Sequence, residues 1–150
     1  MIRKMEKIDE DFIYHSWLHS VKCPTKMVTS MTRRVIDDVV SKGNVRVFCP
    51  DDDSDHIIGW MAFGKIEQTP LLHFIFVKKD FRENGIGTEL VRNVYPNLDQ
   101  SIFCTFWSFH MQQLGARKKW GAKFVGNLLP TVVFDIMSVD IRKHEERNGP

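Results

Sequence analysis

The chain has 150 residues, the size of one ordinary domain, and folding can take roughly 70% of the unfolded surface out of water. Its 43% hydrophobic and 27% charged residues exclude disordered, collagen-like and disulfide-scaffold proteins. The 21 basic and 19 acidic residues leave a formal charge of +2, which by itself argues for neither a nucleic-acid nor a membrane partner, so any basic patch has to be local. Three widely spaced cysteines, Cys23, Cys49 and Cys104, are an odd set in segments that read as helix or strand. They suggest no disulfide framework and fit a reducing cytoplasm. Residues Met1 to Asp11 are charged and lack the apolar core of a signal peptide. The longest apolar stretch, Leu71 to Val77, is interrupted by His73 and is too short to span a bilayer.

In chain order, Ile13, Tyr14, Trp17, Leu18 and Val21 follow helical spacing from Asp9, with Asp9, Glu10 and Asp11 where a helix N-terminus favours negative charge. Cys23-Pro24 is expected to end that helix. A second helix is expected from Thr25 as cap, carrying Val28, Met31, Val35, Ile36, Val39 and Val40 on one face until Gly43-Asn44. The period then changes to that of strands. Val45, Val47 and Cys49 alternate, Pro50 to Asp55 supplies an acidic turn, and His56 to Phe63 reads as the returning strand of a hairpin.

A break at Gln68-Thr69-Pro70 precedes Leu71 to Val77, whose almost wholly apolar run suits a strand buried on both faces at the centre of a sheet. After it comes Arg82-Glu83-Asn84-Gly85-Ile86-Gly87-Thr88, then Leu90, Val91 and Val94 at helical spacing up to Pro96. Ser101 to Trp107, Phe124 to Leu128 and Thr131 to Ile141 are further strand candidates, and Arg142 to Pro150 reads as a charged tail. With no repeat and no linker, residues 1–150 read as a single α+β or mixed α/β domain.

A strand that ends in a glycine turn opening a helix aims backbone N–H groups at one point, where the helix dipole favours an anion. Gly85 and Gly87 allow close approach, and Lys78, Lys79 and Arg82 add positive charge. A plain turn with a helix cap would look the same. A phosphate loop of the Gly-Lys-Ser/Thr type is excluded because Thr88 follows Gly87 directly, and a dinucleotide fingerprint is excluded because Leu90 stands where its last glycine would be.

The sequence Arg-x-x-Gly-x-Gly after a strand ending in Val77 resembles the pyrophosphate-binding signature of the GNAT acyltransferase superfamily, as does the stretch His73 to Leu90 throughout. The element order over roughly residues 8 to 107 also resembles that family. Asp11-Phe12-Ile13-Tyr14-x-Ser16-Trp17-Leu18-x-Ser20 and Lys118-Lys119-Trp120 are similar to small bacteriophage-encoded members. The resemblance implies a GNAT-like domain with a central mixed, mostly antiparallel sheet flanked by helices. It implies acetyl-CoA as cosubstrate, with Phe76 and Val77 beside the pantetheine arm and the backbone of Arg82, Glu83, Asn84, Gly85, Ile86, Gly87 and Thr88 around the pyrophosphate. The implied reaction is direct attack of a primary amine on the thioester, making the chain an N-acetyltransferase whose acceptor is a small molecule or a protein.

For proton transfer, His73 precedes Val77 by four residues, which in a regular strand places both on one face, and its ordinary pKa suits a base. A buried histidine bonded within the sheet is the other reading. Many members of the family place a tyrosine acid in the helix after the fifth strand, but Ser108 to Phe124 contains none, and Arg117 occupies the expected position. Acid catalysis then falls to Ser108, His110 or water, or the chain is a catalytically silent GNAT fold that binds a macromolecular partner. His15, His19 and Cys23 share a polar helix face without a fourth ligand, so no metal is assigned. Arg117, Lys118, Lys119 and Lys123 around Trp120 read as a solvated face rather than a nucleic-acid surface. The resemblance also implies an acceptor across the sheet from CoA, near the opening helices and hairpin, a side that includes Asp51, Asp52, Asp53 and Asp55; these would attract a cationic acceptor, and a solvated loop with no ligand is the other reading.

Overall fold

A computed structural model describes residues 1–21, 25–97, 101–104 and 123–127 of the chain. The elements, in order, are β1 (Ile2–Lys4), α1 (Glu10–Val21), α2 (Lys26–Ser41), β2 (Val45–Phe48), β3 (Gly59–Ile66), β4 (Thr69–Val77), α3 (Ile86–Val94), β5 (Ser101–Cys104) and β6 (Lys123–Asn127). Among the described residues the strands form one sheet in the order β1-β2-β3-β4-β5-β6. The first four are antiparallel, while β5 pairs parallel to β4 and β6 parallel to β5. The mixed, mostly antiparallel α/β domain expected from the sequence is the fold observed.

Two apolar clusters cover opposite faces of this sheet. On one face Ile13 and Trp17 of α1 and Val35, Ile36 and Val39 of α2 pack against Val45, Val47, Trp60, Ala62 and Phe74. Trp17 lies nearly parallel to Phe74 at 5.6 Å and 5.4 Å from Trp60, so indole and phenyl rings fill the space between helix and sheet. The Trp60 indole N–H donates to Ser16 Oγ at 2.9 Å, so this buried polar group keeps a partner. On the other face Ile86, Leu90 and Val91 of α3 pack on Ile58, Met61, Leu72 and Ile102. Tyr95 closes that layer by donating its hydroxyl to the Gly64 carbonyl at 2.5 Å.

Several boundaries move relative to the sequence reading. The charged opening forms β1, whose Ile2–Lys4 pairs with Arg46–Phe48 of β2. Asp9 directly precedes α1 as expected but is buried there, and Arg3 grips it at 2.7 and 3.0 Å. The returning strand of the hairpin runs over Gly59–Ile66, not His56 to Phe63. The next strand begins at Thr69, so the break is the two-residue turn Glu67-Gln68, in which Glu67 takes φ 56°. Ser101 to Trp107 is strand over Ser101–Cys104, and Phe124 to Leu128 is matched by Lys123–Asn127. Residues 105–107, Leu128 and the whole of Thr131 to Pro150 lie outside the described residues.

Candidate functional site

The end of β4 and the start of α3 are joined by Lys78 to Gly85. A 3₁₀ turn over Lys79–Phe81 reverses the chain, with Phe81 N–H donating to the Lys78 carbonyl at 2.9 Å. Lys78 N–H donates to the Ile58 carbonyl at 2.9 Å, which fixes the turn to the start of β3. Arg82 Nε donates to the Val77 carbonyl at 2.8 Å, and Asn84 Nδ2 donates to the carbonyls of Phe81 and Arg82 at 3.2 and 3.3 Å. The side chains of Arg82 and Asn84 thus shape the loop and leave its outer rim to backbone groups.

Two residues of that rim are left-handed. Gly85 has φ 78° and ψ 4°, and a Cβ added there would meet nothing within 4 Å. Glu83 has φ 67°, a conformation that costs an L residue roughly 1–2 kcal/mol. Gly85 is the N-cap of α3 and brings no capping side chain. The first intrahelical bond runs from Glu89 N–H to the Gly85 carbonyl at 2.9 Å. The amides of Ile86, Gly87 and Thr88 therefore precede the bonded part of the helix, at its positive end. A backbone cradle of this kind fits a phosphate chemically, although the negative charge of exposed Glu83, two residues before Gly85, opposes an anion.

The second component is the edge of β4. Among the described residues its pairing with β5 sets Leu71 opposite Phe103 and Leu72 opposite Cys104, and Ile75, Phe76 and Val77 lie beyond that pairing. On its other edge β4 is paired with β3 as far as Val77, opposite Gly59. Phe76 and Val77, expected beside the pantetheine arm, are half-buried on opposite faces: Phe76 packs with the α1/α2 cluster and Val77 with the α3 cluster.

His73 does not share the face of Val77, which corrects the spacing argument. The β3–β4 ladder pairs Ala62 with Phe74 and Phe63 with Leu72, so His73 is an extra residue in a bulge. The alternation flips there. Leu72, Ile75 and Val77 belong to the α3 face, whereas Phe74 and Phe76 belong to the α1/α2 face. The imidazole lies close to Gly64, whose added Cβ would stand 3.2 Å from its Nε2, and it senses the charge of Lys42 just beyond α2. Burial, helped by Lys42, brings the His73 pKa down from 6.5 to about 4. At 3% exposure it is a neutral core histidine.

Other expected residues are scattered. Ser108, His110, Arg117, Lys118, Lys119 and Trp120 lie outside the described residues, as does Cys23, while Lys123 opens β6. His15 and His19 are exposed on α1, with parallel rings 6.0 Å apart. Among the described residues no three metal-binding side chains converge, and no helix is long and apolar enough to cross a membrane. The acidic loop joins β2 to β3 at the same end of the sheet as the glycine turn. His56 packs edge-on against Phe81 at 6.4 Å, and Asp51 pairs with the N-terminal ammonium at 3.0 Å.

Sequence reasoning missed Gly59. An added Cβ there would lie 3.0 Å from the Phe76 carbonyl oxygen and 3.2 Å from Ile86 Cγ2, so the helix and both strands meet over this residue. The available signal was a glycine just before Trp60 inside an apolar run, which marks close approach of another backbone.

Comparison with solved structures gives the same fold at low identity. A transcriptional regulator from Bacillus halodurans C-125 superposes with a TM-score of 0.58 at 16% identity, covering 85% of this chain and 95% of that one. The structure of histone acetyltransferase HPA2 and related acetyltransferase from Corynebacterium glutamicum ATCC 13032 gives 0.52 at 13% identity over 78% and 82% of the two chains. An aminoglycoside acetyltransferase from an uncultured soil metagenomic sample, in complex with sisomicin, gives 0.50 at 15% identity over 82% and 89%. No curated protein matches the sequence. The model of the Acetyltransferase (GNAT) family matches residues 12–117, well over half of the chain and inclusive of the glycine turn, and on that match the chain belongs to the GNAT family of acetyltransferases.

Proposed function

We propose that the chain is an N-acetyltransferase that binds acetyl-CoA across the turn Arg82 to Thr88 and moves the acetyl group to a primary amine. The observation that carries this reading is the meeting of two backbone features: the start of α3 with its left-handed Gly85, and the end of β4 at Ile75 to Val77, beyond its pairing with β5. The first suits a pyrophosphate and the second suits the amide-bearing pantetheine arm, which pairs with backbone as a strand would. In the proposed reaction the amine nitrogen forms a bond to the thioester carbonyl carbon, the C–S bond breaks, the amine loses a proton and the departing thiolate takes one. Ser108 is proposed as the donor to the thiolate. His73 is not assigned as base, because it is a weak base shut away on the α1/α2 face. Kinship with bacteriophage-encoded members is inferred from the Asp11 to Ser20 and Lys118 to Trp120 segments.

Calorimetry with CoA tests the binding step, and release of free thiol from acetyl-CoA over a panel of amines tests the transfer. Saturable binding is expected, and its absence at millimolar CoA would remove the proposal. Gly85→Val is expected to abolish binding and to cost about 1–2 kcal/mol of stability, since the space around an added Cβ is open but the φ of 78° strains an L residue, so the folded fraction is checked by circular dichroism beside the calorimetry. A second reading, a GNAT domain that holds CoA or a macromolecule without turnover, is favoured by the lack of any tyrosine over residues 108 to 124. Binding without thiol release by any amine supports that reading over transfer.

A further inference from the structure

We infer that Gly59 is a positioning residue for the cofactor, and that its missing side chain sets how the start of α3 sits against the end of β4. The inference rests on the acetyl-CoA reading above. Gly59 opens β3 and stands in register between two strands, opposite Phe48 of β2 and Val77 of β4. The residue before it is pinned as well: the Ile58 amide donates to the Phe48 carbonyl, and its carbonyl accepts from Lys78 N–H, each at 2.9 Å. Gly59 therefore cannot drift away from a crowding neighbour. Three contacts converge on the place where its Cβ would be, namely the Phe76 carbonyl oxygen at 3.0 Å, Ile86 Cγ2 at 3.2 Å and Val77 Cγ2 at 3.5 Å.

These neighbours belong to both halves of the proposed site. Phe76 and Val77 end the strand edge offered to the pantetheine arm, and Ile86 is the first residue of the helix whose amides face the pyrophosphate. A methyl group at position 59 has to move one half relative to the other. Displacing Ile86 tilts the first-turn amides, and displacing the Phe76 carbonyl shifts the strand backbone, which any regular hydrogen-bond donor or acceptor array tolerates poorly.

The test compares two glycine-to-alanine changes in the same strand. Gly59→Ala is expected to weaken CoA binding tenfold or more by calorimetry, and to raise KM for acetyl-CoA with kcat nearly unchanged. Gly64→Ala, whose Cβ would press on His73 Nε2 at 3.2 Å, is expected to lower the melting temperature while leaving CoA affinity at the wild-type value. Ile86→Leu, which removes the branch over Gly59 at constant volume, is expected to change CoA affinity as well and keeps the inference testable if Gly59→Ala fails to fold. Folded Gly59→Ala with wild-type affinity overturns the inference, as does unchanged affinity in Ile86→Leu where Gly59→Ala does not fold. A wild-type chain that binds no CoA instead overturns the acetyl-CoA reading on which it rests.

Discussion

Glu83 holds a left-handed backbone on the rim of the proposed anion site, at φ 67°. It is exposed and stands two residues before Gly85, so beside its conformational cost its negative charge disfavours an anion at the proposed site. Glu83→Gly removes both. Stability should rise by about 0.5–1 kcal/mol in urea, the relief of left-handed strain being partly offset by the extra entropy of glycine in the unfolded chain. CoA should bind more tightly, with the larger gain at low salt. A variant that unfolds earlier than wild type would show that the Glu83 side chain contributes contacts that outweigh its backbone strain.

His73 gives a pH dependence whose sign follows from its burial. The folded chain keeps the imidazole neutral down to a pKa of about 4, whereas the unfolded chain protonates it near 6.5. Between these values the unfolded state binds more protons, so stability is full above pH 6.5 and is lost as the pH falls toward 4. The loss amounts to about 3 kcal/mol at most by that linkage. His73→Asn should flatten the dependence of the urea midpoint on pH over this window, whatever it does to the midpoint itself. An unchanged slope would mean that the imidazole is not the titrating group.

At the scale of elements, Arg3 shows how a strand too short to be read from sequence contributes to the fold. Its guanidinium grips Asp9 ahead of α1 and also donates twice to the Ser54 carbonyl, at 3.2 and 2.8 Å, so β1, the entry to α1 and the acidic loop share one side chain. Burial raises the Asp9 pKa, but the hydrogen bonds from Arg3 and the Glu6 amide and the Arg3 charge outweigh it and hold the carboxylate below its ordinary value. Its contribution to stability is present above the ordinary carboxylate pKa and is lost as the medium becomes more acidic than that. Arg3→Ala leaves Asp9 buried without its partner and should cost about 3 kcal/mol in denaturant unfolding at neutral pH. Asp9→Asn should cost less, since its amide oxygen still accepts from the Glu6 N–H, which reaches Oδ2 at 2.7 Å in the wild type.

The same scale shows what the sequence could and could not disclose. Helical spacing in Val35, Ile36 and Val39 and the glycine turn between an apolar run and Leu90 identify α2 and the β4–α3 unit, because one buried face imposes its period on the residues. Three-residue β1 carries no such period, and its pairing with β2 depends on contacts 44 or so residues away. The bulge at His73 is equally silent: nothing in Leu71-Leu72-His73-Phe74 distinguishes a regular strand from one with an extra residue, yet the bulge exchanges the faces of all that follows. The cradle was therefore legible from local turn chemistry. The fate of His73 depended on register, which two strands decide together.

For the molecule as a whole, one end of the sheet carries exposed charges of both signs among the described residues. The Val77 end gathers Lys78, Lys79 and Arg82 of the turn, and beside them the loop with Asp51, Asp52, Asp53 and Asp55, all four exposed. Asp51 pairs with the N-terminal ammonium, which leaves Asp52, Asp53 and Asp55 as the carboxylates to test against the proposed anion site. Asp53 also accepts the Asp55 N–H at 3.2 Å, a bond that asparagine can keep. The loop lies at the same end of the sheet as the glycine turn, so under the proposed function its carboxylates would repel the phosphates of CoA and attract an amine. Converting Asp52, Asp53 and Asp55 to asparagine should lower KM for acetyl-CoA several-fold in about 10 mM salt, where the screening length is roughly 30 Å. The gain should shrink near physiological salt, where that length falls to about 8 Å. If KM for the amine rises instead while KM for acetyl-CoA stays constant, the loop recruits the acceptor from its place beside the cofactor. The two Michaelis constants measured at two salt concentrations thus assign the loop to one substrate, since a charge that helps a cation approach hinders an anion by the same field.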